Sequence, residues 1–295
     1  MAWKRLSFNT TADKADVLAE LLESAGACAV TIECGNDQIL FETASERAPV
    51  WDRTRVAGLF SSRTDLNRLL KWLKDKLGAQ RLPPCAIESL EDRDWGRAWM
   101  DRFRPMRFGE RLWVCPSWEA PPEPGAANVI LDPGMAFGTG THPTTALCLN
   151  WLADAKVIDG ATVLDYGCGS GILALAAAKL GARRVLATDL DATALQVTCE
   201  NASRNGVSDR LTTMTPDAVG TVSADIILAN ILADPLISLV QRLRELGRPG
   251  CHLVLSGILK EQVAACLAAY QPWFNMVEPV CAQEWVLFWG IRRSE

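Results

Sequence analysis

The stretch "VLDYGCGSG" at residues 163–171 decides the fold. An apolar, strand-like run reaches an acid at Asp165, Gly167, Gly169 and Gly171 then alternate, and "ILALAAAKLG" follows as a helix. Strand, glycine-rich turn and helix in that order open a doubly wound α/β sheet, where the glycines allow a tight turn, close approach of a ligand and close helix packing. The dinucleotide fingerprint G-x-G-x-x-G is not met, because the third glycine arrives one position early and Asp165 stands just before the loop. A carboxylate there repels a pyrophosphate and attracts an ammonium group. The loop therefore favours a cofactor with an amino-acid end.

Working outward, strands alternate with helices from Val129 onward, the signature of a doubly wound sheet. "RVLATDL" leads into "DATALQVTCENASRNG", "ADIILAN" into "LISLVQRLRELG", and "HLVLSGI" into "EQVAACLAAY"; the strand-like runs "FNMVEPV" and "EWVLFWGIR" close the chain. Ligands of such sheets bind at the carboxyl ends of the strands. Candidate residues fall there in succession. Asp165 ends the first strand, Asp189 ends the second and is placed to accept both hydroxyls of a ribose, Asp217 in "TPDA" lies near an adenine edge, and Asn230 opens "NILA".

The first ninety residues read as β-α-β-β-α-β with one extra strand allowed, the order of a ferredoxin-like sandwich. They carry no catalytic constellation. Residues 91–118 interleave arginines with Trp95, Trp99, Phe103 and Phe108, a composition that fits either RNA stacking or a helical connector; acidic residues among the arginines favour the connector.

Composition narrows the function classes. Hydrophobic residues make up 49% of 295, enough for a substantial core, and the net charge is −5. Up to residue 120 there are 18 basic against 18 acidic residues, and beyond it 12 against 17, so no part is a basic nucleic-acid-binding domain, although a local patch is compatible with these totals. The ten cysteines lack a C-x-x-C pair and read as reduced thiols, and the two histidines, His142 and His252, stand too far apart for a zinc set or a histidine-centred triad. No metal is expected. No apolar run reaches a membrane span and the N-terminus lacks a leader, so a soluble, cytoplasmic protein is expected.

Upstream of the glycine loop, "DPGMAFGTGTHPTT" (132–145) concentrates glycine, threonine and proline ahead of a helix. No lysine follows in P-loop position. This motif together with "NILA" is similar to the ribosomal protein L11 methyltransferases, and Asp165 to Gly171, Asp189 and Asn230 resemble the seven-stranded class of S-adenosylmethionine-dependent methyltransferases. The resemblance spans nearly the whole chain. It implies an α/β, doubly wound, seven-stranded Rossmann-like methyltransferase domain over residues 119–295, a connector over 91–118, and a small α+β ferredoxin-like domain for substrate recognition over 1–90.

The resemblance also implies S-adenosylmethionine as cofactor, with Phe137, Gly138 and Thr139 of the loop over it, Thr145 hydrogen-bonded to it, and Asp165, Gly167, Gly169, Asp189, Asp217 and Asn230 around it. Asn230 is the implied catalytic residue. The implied reaction is trimethylation of lysine ε-amino and N-terminal α-amino groups of ribosomal protein L11, without direct nucleic-acid binding or a membrane. His142 stays open between a helix cap and a role at the site. Two other readings differ in sequence terms: a nucleic-acid amino-methyltransferase, whose N-P-P-[YF] turn carries an aromatic that "NILA" lacks, and a non-catalytic S-adenosylmethionine-binding module, which has no use for Asn230.

Overall fold

A computed structural model describes residues 3–34, 54–77, 82–90, 103–132 and 140–294, and divides the chain into two compact units, Met1–Arg102 and Phe103–Glu295. In the first unit, β1 (Trp3–Thr10), α1 (Ala12–Ser24), β2 (Ala29–Cys34), β3 (Thr54–Ser61), α2 (Leu66–Leu77) and β4 (Cys85–Leu90) follow the expected order. The sheet order is β2-β3-β1-β4 with every pair antiparallel, as in a ferredoxin-like sandwich. Alternation in β1 turns Leu6 and Phe8 inward, where they meet Leu18 and Leu22 of α1 and Leu69 and Leu73 of α2. Gly26, at φ +87°, ends α1 as the sequence indicates, and the Asp65 carboxylate accepts the Asn67 and Arg68 amides at the start of α2. The possible extra strand "QILFET" lies outside the described residues.

The second unit begins before the boundary drawn at residue 119. Within the stretch assigned to a helical connector, β5 (Met106–Phe108) and β6 (Leu112–Cys115) form an antiparallel pair, and β6 runs parallel to β7 (Ala127–Ile130). The physical reason is the alternation of Leu112 and Val114, which are buried in one core with Val129, Leu149 and Leu173. Arginine density had hidden this short period.

The main elements of this unit are α3 (Pro143–Asp154), β8 (Thr162–Tyr166), α4 (Ile172–Lys179), β9 (Arg184–Thr188), α5 (Ala192–Arg204), β10 (Leu211–Met214) and β11 (Ala224–Asn230). They are followed by α6 (Ala233–Ser238), α7 (Val240–Leu246), β12 (Gly247–Leu259), α8 (Val263–Tyr270), β13 (Phe274–Met276), β14 (Val280–Ala282) and β15 (Trp285–Arg292). The path is β10-β9-β8-β11-β12-β15-β13, with β14 added against β15. Strands β8 to β12 are mutually parallel, and β15 enters antiparallel. "FNMVEPV", read as one run, is therefore split between β13 and β14.

Helices on both faces explain the continuous burial of the central strands. In β8, Val163 faces one core and Leu164 the other; in β11, Ile226 and Leu228 face the first, Ile227 and Ala229 the second. All parallel strands consequently point their carboxyl ends toward the same edge, and the helices that follow start there. Among the described residues no helix is long and apolar enough to cross a membrane.

Candidate active site

The glycine loop is fastened to the neighbouring strand before any ligand is considered. The Gly167 and Cys168 amides both donate to the Thr188 carbonyl, at 2.7 and 2.9 Å, and the Gly169 amide donates to Asp189 Oδ2 at 2.9 Å. Helix α5 holds the other side: Thr198 Oγ1 donates to the Gly169 carbonyl at 3.1 Å and Asn201 Nδ2 to the Ser170 carbonyl at 2.9 Å. Gly167 and Gly171 have φ of +81° and +79°. A Cβ on Gly167 would stand 2.4 Å from Ile231 Cγ2, and one on Gly171 would stand 2.7 Å from Thr198 Cγ2. Both positions thus need glycine for space as well as conformation.

Asp165 is 1% exposed. Its Oδ2 accepts the Ala174 amide at 3.0 Å in the first turn of α4, whereas Oδ1 is buried without a hydrogen-bond partner. Burial pushes the carboxyl up to about 7; the Ala174 bond pulls it down and the nearby Asp189 charge pushes it up. An unpartnered carboxylate oxygen at such a depth fits a cationic partner.

Asp189 sits half-buried at the end of β9, with Oδ2 on the Gly169 amide and Oδ1 on the Asp191 amide at 3.0 Å. A carboxylate offers about four lone-pair sites, so two remain for hydroxyl donors. Next to it Leu190 is 90% exposed, an apolar face at the same strand end. Asp217 is exposed in the 3₁₀ turn Pro216–Val219 that follows β10.

Asn230 ends β11, and its Nδ2 donates to Thr145 Oγ1 at 3.3 Å, across 85 residues of sequence. Thr145 is fully buried in the first turn of α3, which Pro143 opens. His142 is the N-cap: its Nδ1 accepts the Thr144 amide at 3.4 Å and lies 2.7 Å from Thr144 Oγ1, and its ring packs edge-on against Trp285 at 5.1 Å. Burial lowers its pKa. Of the loop residues assigned to the cofactor, Phe137, Gly138 and Thr139 lie outside the described residues.

The structure thus brings Asp165, Gly167, Gly169, Asp189 and Asn230 to adjoining strand ends, with Thr145 joined to Asn230 and Asp217 in the turn that follows β10 at one side of the sheet. Three participants escaped the sequence reading. Thr198 and Asn201 were legible only as polar residues on the inward stripe of α5. Gly257, in the strand run "HLVLSGI", has φ +87° at an irregularity of the β12–β15 pairing, and a Cβ there would stand 2.2 Å from the Ile231 carbonyl oxygen. A glycine inside an apolar strand was the available signal.

Comparison with known proteins follows the same site. The family model described as Ribosomal protein L11 methyltransferase (PrmA) matches residues 2–293. A ribosomal protein L11 methyltransferase of Marinobacter nauticus is 50% identical over 298 residues, covering 100% of both chains. One of Azotobacter vinelandii is 47% identical over 99% of this chain and 100% of its own. Among solved structures, the ribosomal protein L11 methylase of Lactobacillus delbrueckii subsp. bulgaricus superposes with a TM-score of 0.58 at 34% identity, covering 65% of this chain and 100% of that one.

Two outcomes follow from this geometry. Because folding raises the Asp165 pKa, its contribution to stability is fully present below the ordinary value of 3.8 and is lost as pH rises through about 7. In ligand-free protein, Asp165→Asn should gain on wild type between pH 4 and 8, by on the order of 4 kcal/mol at most; urea unfolding at several pH values measures this, and parallel pH curves would refute it. Gly257→Ala should destabilise by roughly 1–3 kcal/mol, since neither the Ile231 carbonyl nor the left-handed backbone can yield freely. An unchanged melting temperature would show that the turn moves aside.

Proposed function

This chain belongs to the ribosomal protein L11 methyltransferase family, and on that premise we propose that it transfers methyl groups from S-adenosylmethionine to amines of ribosomal protein L11. The observation that carries the reading is the Asn230–Thr145 pair beside the glycine loop. Neither a binding module nor a regulatory domain requires a side-chain amide fixed at that edge.

The residues present fit the cofactor. The buried, unpartnered Asp165 Oδ1 suits its ammonium group, the free lone pairs of Asp189 suit ribose hydroxyls, and the exposed Leu190 offers an apolar face to a purine ring, with Asp217 at that ring's edge. Gly167 gives the space of its missing side chain to Ile231, which draws the Asn230 turn up to the loop. When bound, S-adenosylmethionine supplies a methyl group on a positively charged sulfur, to be accepted by an uncharged amine nitrogen.

A free lysine amine has a pKa of about 10.4 and is mostly charged at neutral pH. The protein must favour the neutral form and orient it. With Nδ2 committed to Thr145, the Asn230 amide presents Oδ1, an acceptor, to an incoming N–H. Backbone carbonyls of the "NILA" turn add acceptors of the same kind. An amine held by two acceptors directs its lone pair away from them, and such positioning in a water-poor site is worth on the order of 7–11 kcal/mol of barrier. Trimethylation of lysine ε-amino groups and of an N-terminal α-amino group repeats the transfer on one nitrogen. Each methylated ammonium must shed a proton before the nitrogen turns for the next transfer. The two-acceptor hold serves the first transfer, because the last amine has no N–H and relies on the shape of the pocket. The ferredoxin-like unit, whose described residues include no glycine loop like that at Gly167–Gly171, serves to hold the protein substrate.

Binding and turnover separate by residue in this scheme. Asn230→Ala should lower kcat by about 10²-fold while cofactor affinity changes little. Asp189→Ala should weaken cofactor binding by roughly 1.5–3 kcal/mol for each hydroxyl bond lost. Calorimetric titration beside single-turnover methyl transfer distinguishes them, and the reverse pattern would exchange the two roles. A fragment spanning Phe103–Glu295 should keep cofactor affinity yet lose most of its kcat/KM toward intact ribosomal protein L11. Equal kcat/KM values for fragment and full chain would exclude substrate holding by the first unit.

A further inference from the structure

The sheet edge remote from Asn230 has a chemistry of its own. Strands β9, β8, β11 and β12 begin there, at Arg184, Thr162, Ala224 and Gly247, and the antiparallel β15 ends there at Arg292. Half of the basic residues beyond position 120 are gathered along it: Arg183, Arg184, Arg210, Arg242, Arg248 and Arg292.

Most of these guanidinium groups are held by backbone oxygens, which fix their position and leave their charge intact. Arg183 donates to the Gly160 carbonyl at 3.4 Å and to Thr162 Oγ1 at 3.3 Å, Arg210 to the Ala178 carbonyl at 3.2 Å, Arg242 to the Gly220 carbonyl at 3.4 Å, and Arg292 to the Gly247 carbonyl. The carboxylates near them are few. Asp225 pairs with Arg248 and accepts the Thr162 amide at 2.7 Å, Asp209 stands 3.7 Å from Arg210, Glu245 borders Arg242 and Arg292, and Asp159 lies by the Gly181 turn. Among the described residues, Arg183, Arg184, Arg242 and Arg292 form no ion pair.

Two clefts of about 400 Å³ each adjoin at Thr221 on this edge. One is lined by Arg184 with the hydroxyls of Thr162, Thr221 and Ser223; the other by Arg242 and Arg292 with Glu245. Guanidinium forks and hydroxyl donors are the groups that take phosphate oxygens. From β9 to β15 is four strand steps, about 19 Å at the usual spacing. That length is enough to meet several consecutive phosphates of one nucleic-acid strand. The hydroxyls of Thr162, Thr221 and Ser223 beside Arg184 suit the 2′-OH of RNA, a group that an acidic peptide lacks.

We propose that this edge binds the phosphate backbone of RNA. The inference goes beyond methyl transfer and stands on the sheet edge alone, so it survives or fails independently of the role given to Asn230.

Fluorescence anisotropy with the full-length protein and a labelled RNA hairpin of about 20 nucleotides, at salt from about 50 to 200 mM, tests it. The wild type should bind with a steep salt dependence. Arg184→Gln combined with Arg242→Gln should weaken binding about tenfold or more at low salt and reduce the slope of log K against log salt by about 1.5, at 0.7–0.9 for each phosphate contact. Arg184→Lys with Arg242→Lys should restore most of that slope, and both double variants should keep the wild-type kcat/KM for isolated ribosomal protein L11. Absence of wild-type binding at low salt, equal slopes for wild type and the glutamine variant, or competition by polyglutamate as effective as by RNA would each overturn the proposal, the last in favour of an acidic protein partner.

Discussion

The Asn230–Ile231 turn is wedged between two glycines, and the arrangement of the site depends on that contact. Gly167 approaches Ile231 from the end of β8 and Gly257 from β12, each so closely that a single Cβ would collide with it. Removing two side chains lets three neighbouring strand ends converge. Asn230 is thereby delivered beside the glycine loop and within reach of Thr145, whose own position is set by the first turn of α3. The wedge also explains an irregularity in β12. Its pairing with β15 shifts between Leu255 and Ile258 because Gly257 adopts a left-handed backbone to clear the Ile231 carbonyl.

Around this wedge, polar groups replace the packing that an apolar core would supply. Asp165 lies at the positive end of α4 and satisfies one of the orphan amides of its first turn, which offsets part of the cost of burying it. A polar stripe on α5 completes the cradle. Thr198 and Asn201 hold the glycine loop, and Asn205, one turn further, accepts the Ile130 amide at 2.7 Å and donates to the Ile130 carbonyl at 2.8 Å. One helix therefore ties both β7 and the loop into a single rigid wall. Such preorganisation matters because the chemistry asks the protein to position groups more than to react.

Charge is sorted between the two edges of the sheet. Asp165, Asp189, Asp191, Asp217 and Asp234 stand at or just beyond the strand ends on the Asn230 side, while the arginines lie at the strand starts. Parallel strands make this possible, since every carboxyl end falls on one edge and every amino end on the other. The acidic edge suits the ammonium end of the cofactor, and the basic edge is the one we assign to phosphates.

Local chemistry determined a good deal of this protein from the sequence alone. The glycine loop, the strand-end acids and Asn230 were legible because each lies within a short segment whose period and breakers announce a strand, a turn and a helix. The ferredoxin-like order of the first unit was legible for the same reason. Tertiary structure decided what depends on separate segments meeting: the Asn230–Thr145 bond, the need for glycine at position 257, the strands hidden between Met106 and Cys115, and the arginine row that a net charge of −5 concealed. Sequence spacing records which groups a segment carries and which way they alternate. Only packing brings the ends of different strands within hydrogen-bond distance, because that distance is set by sheet register and by the space that glycines leave.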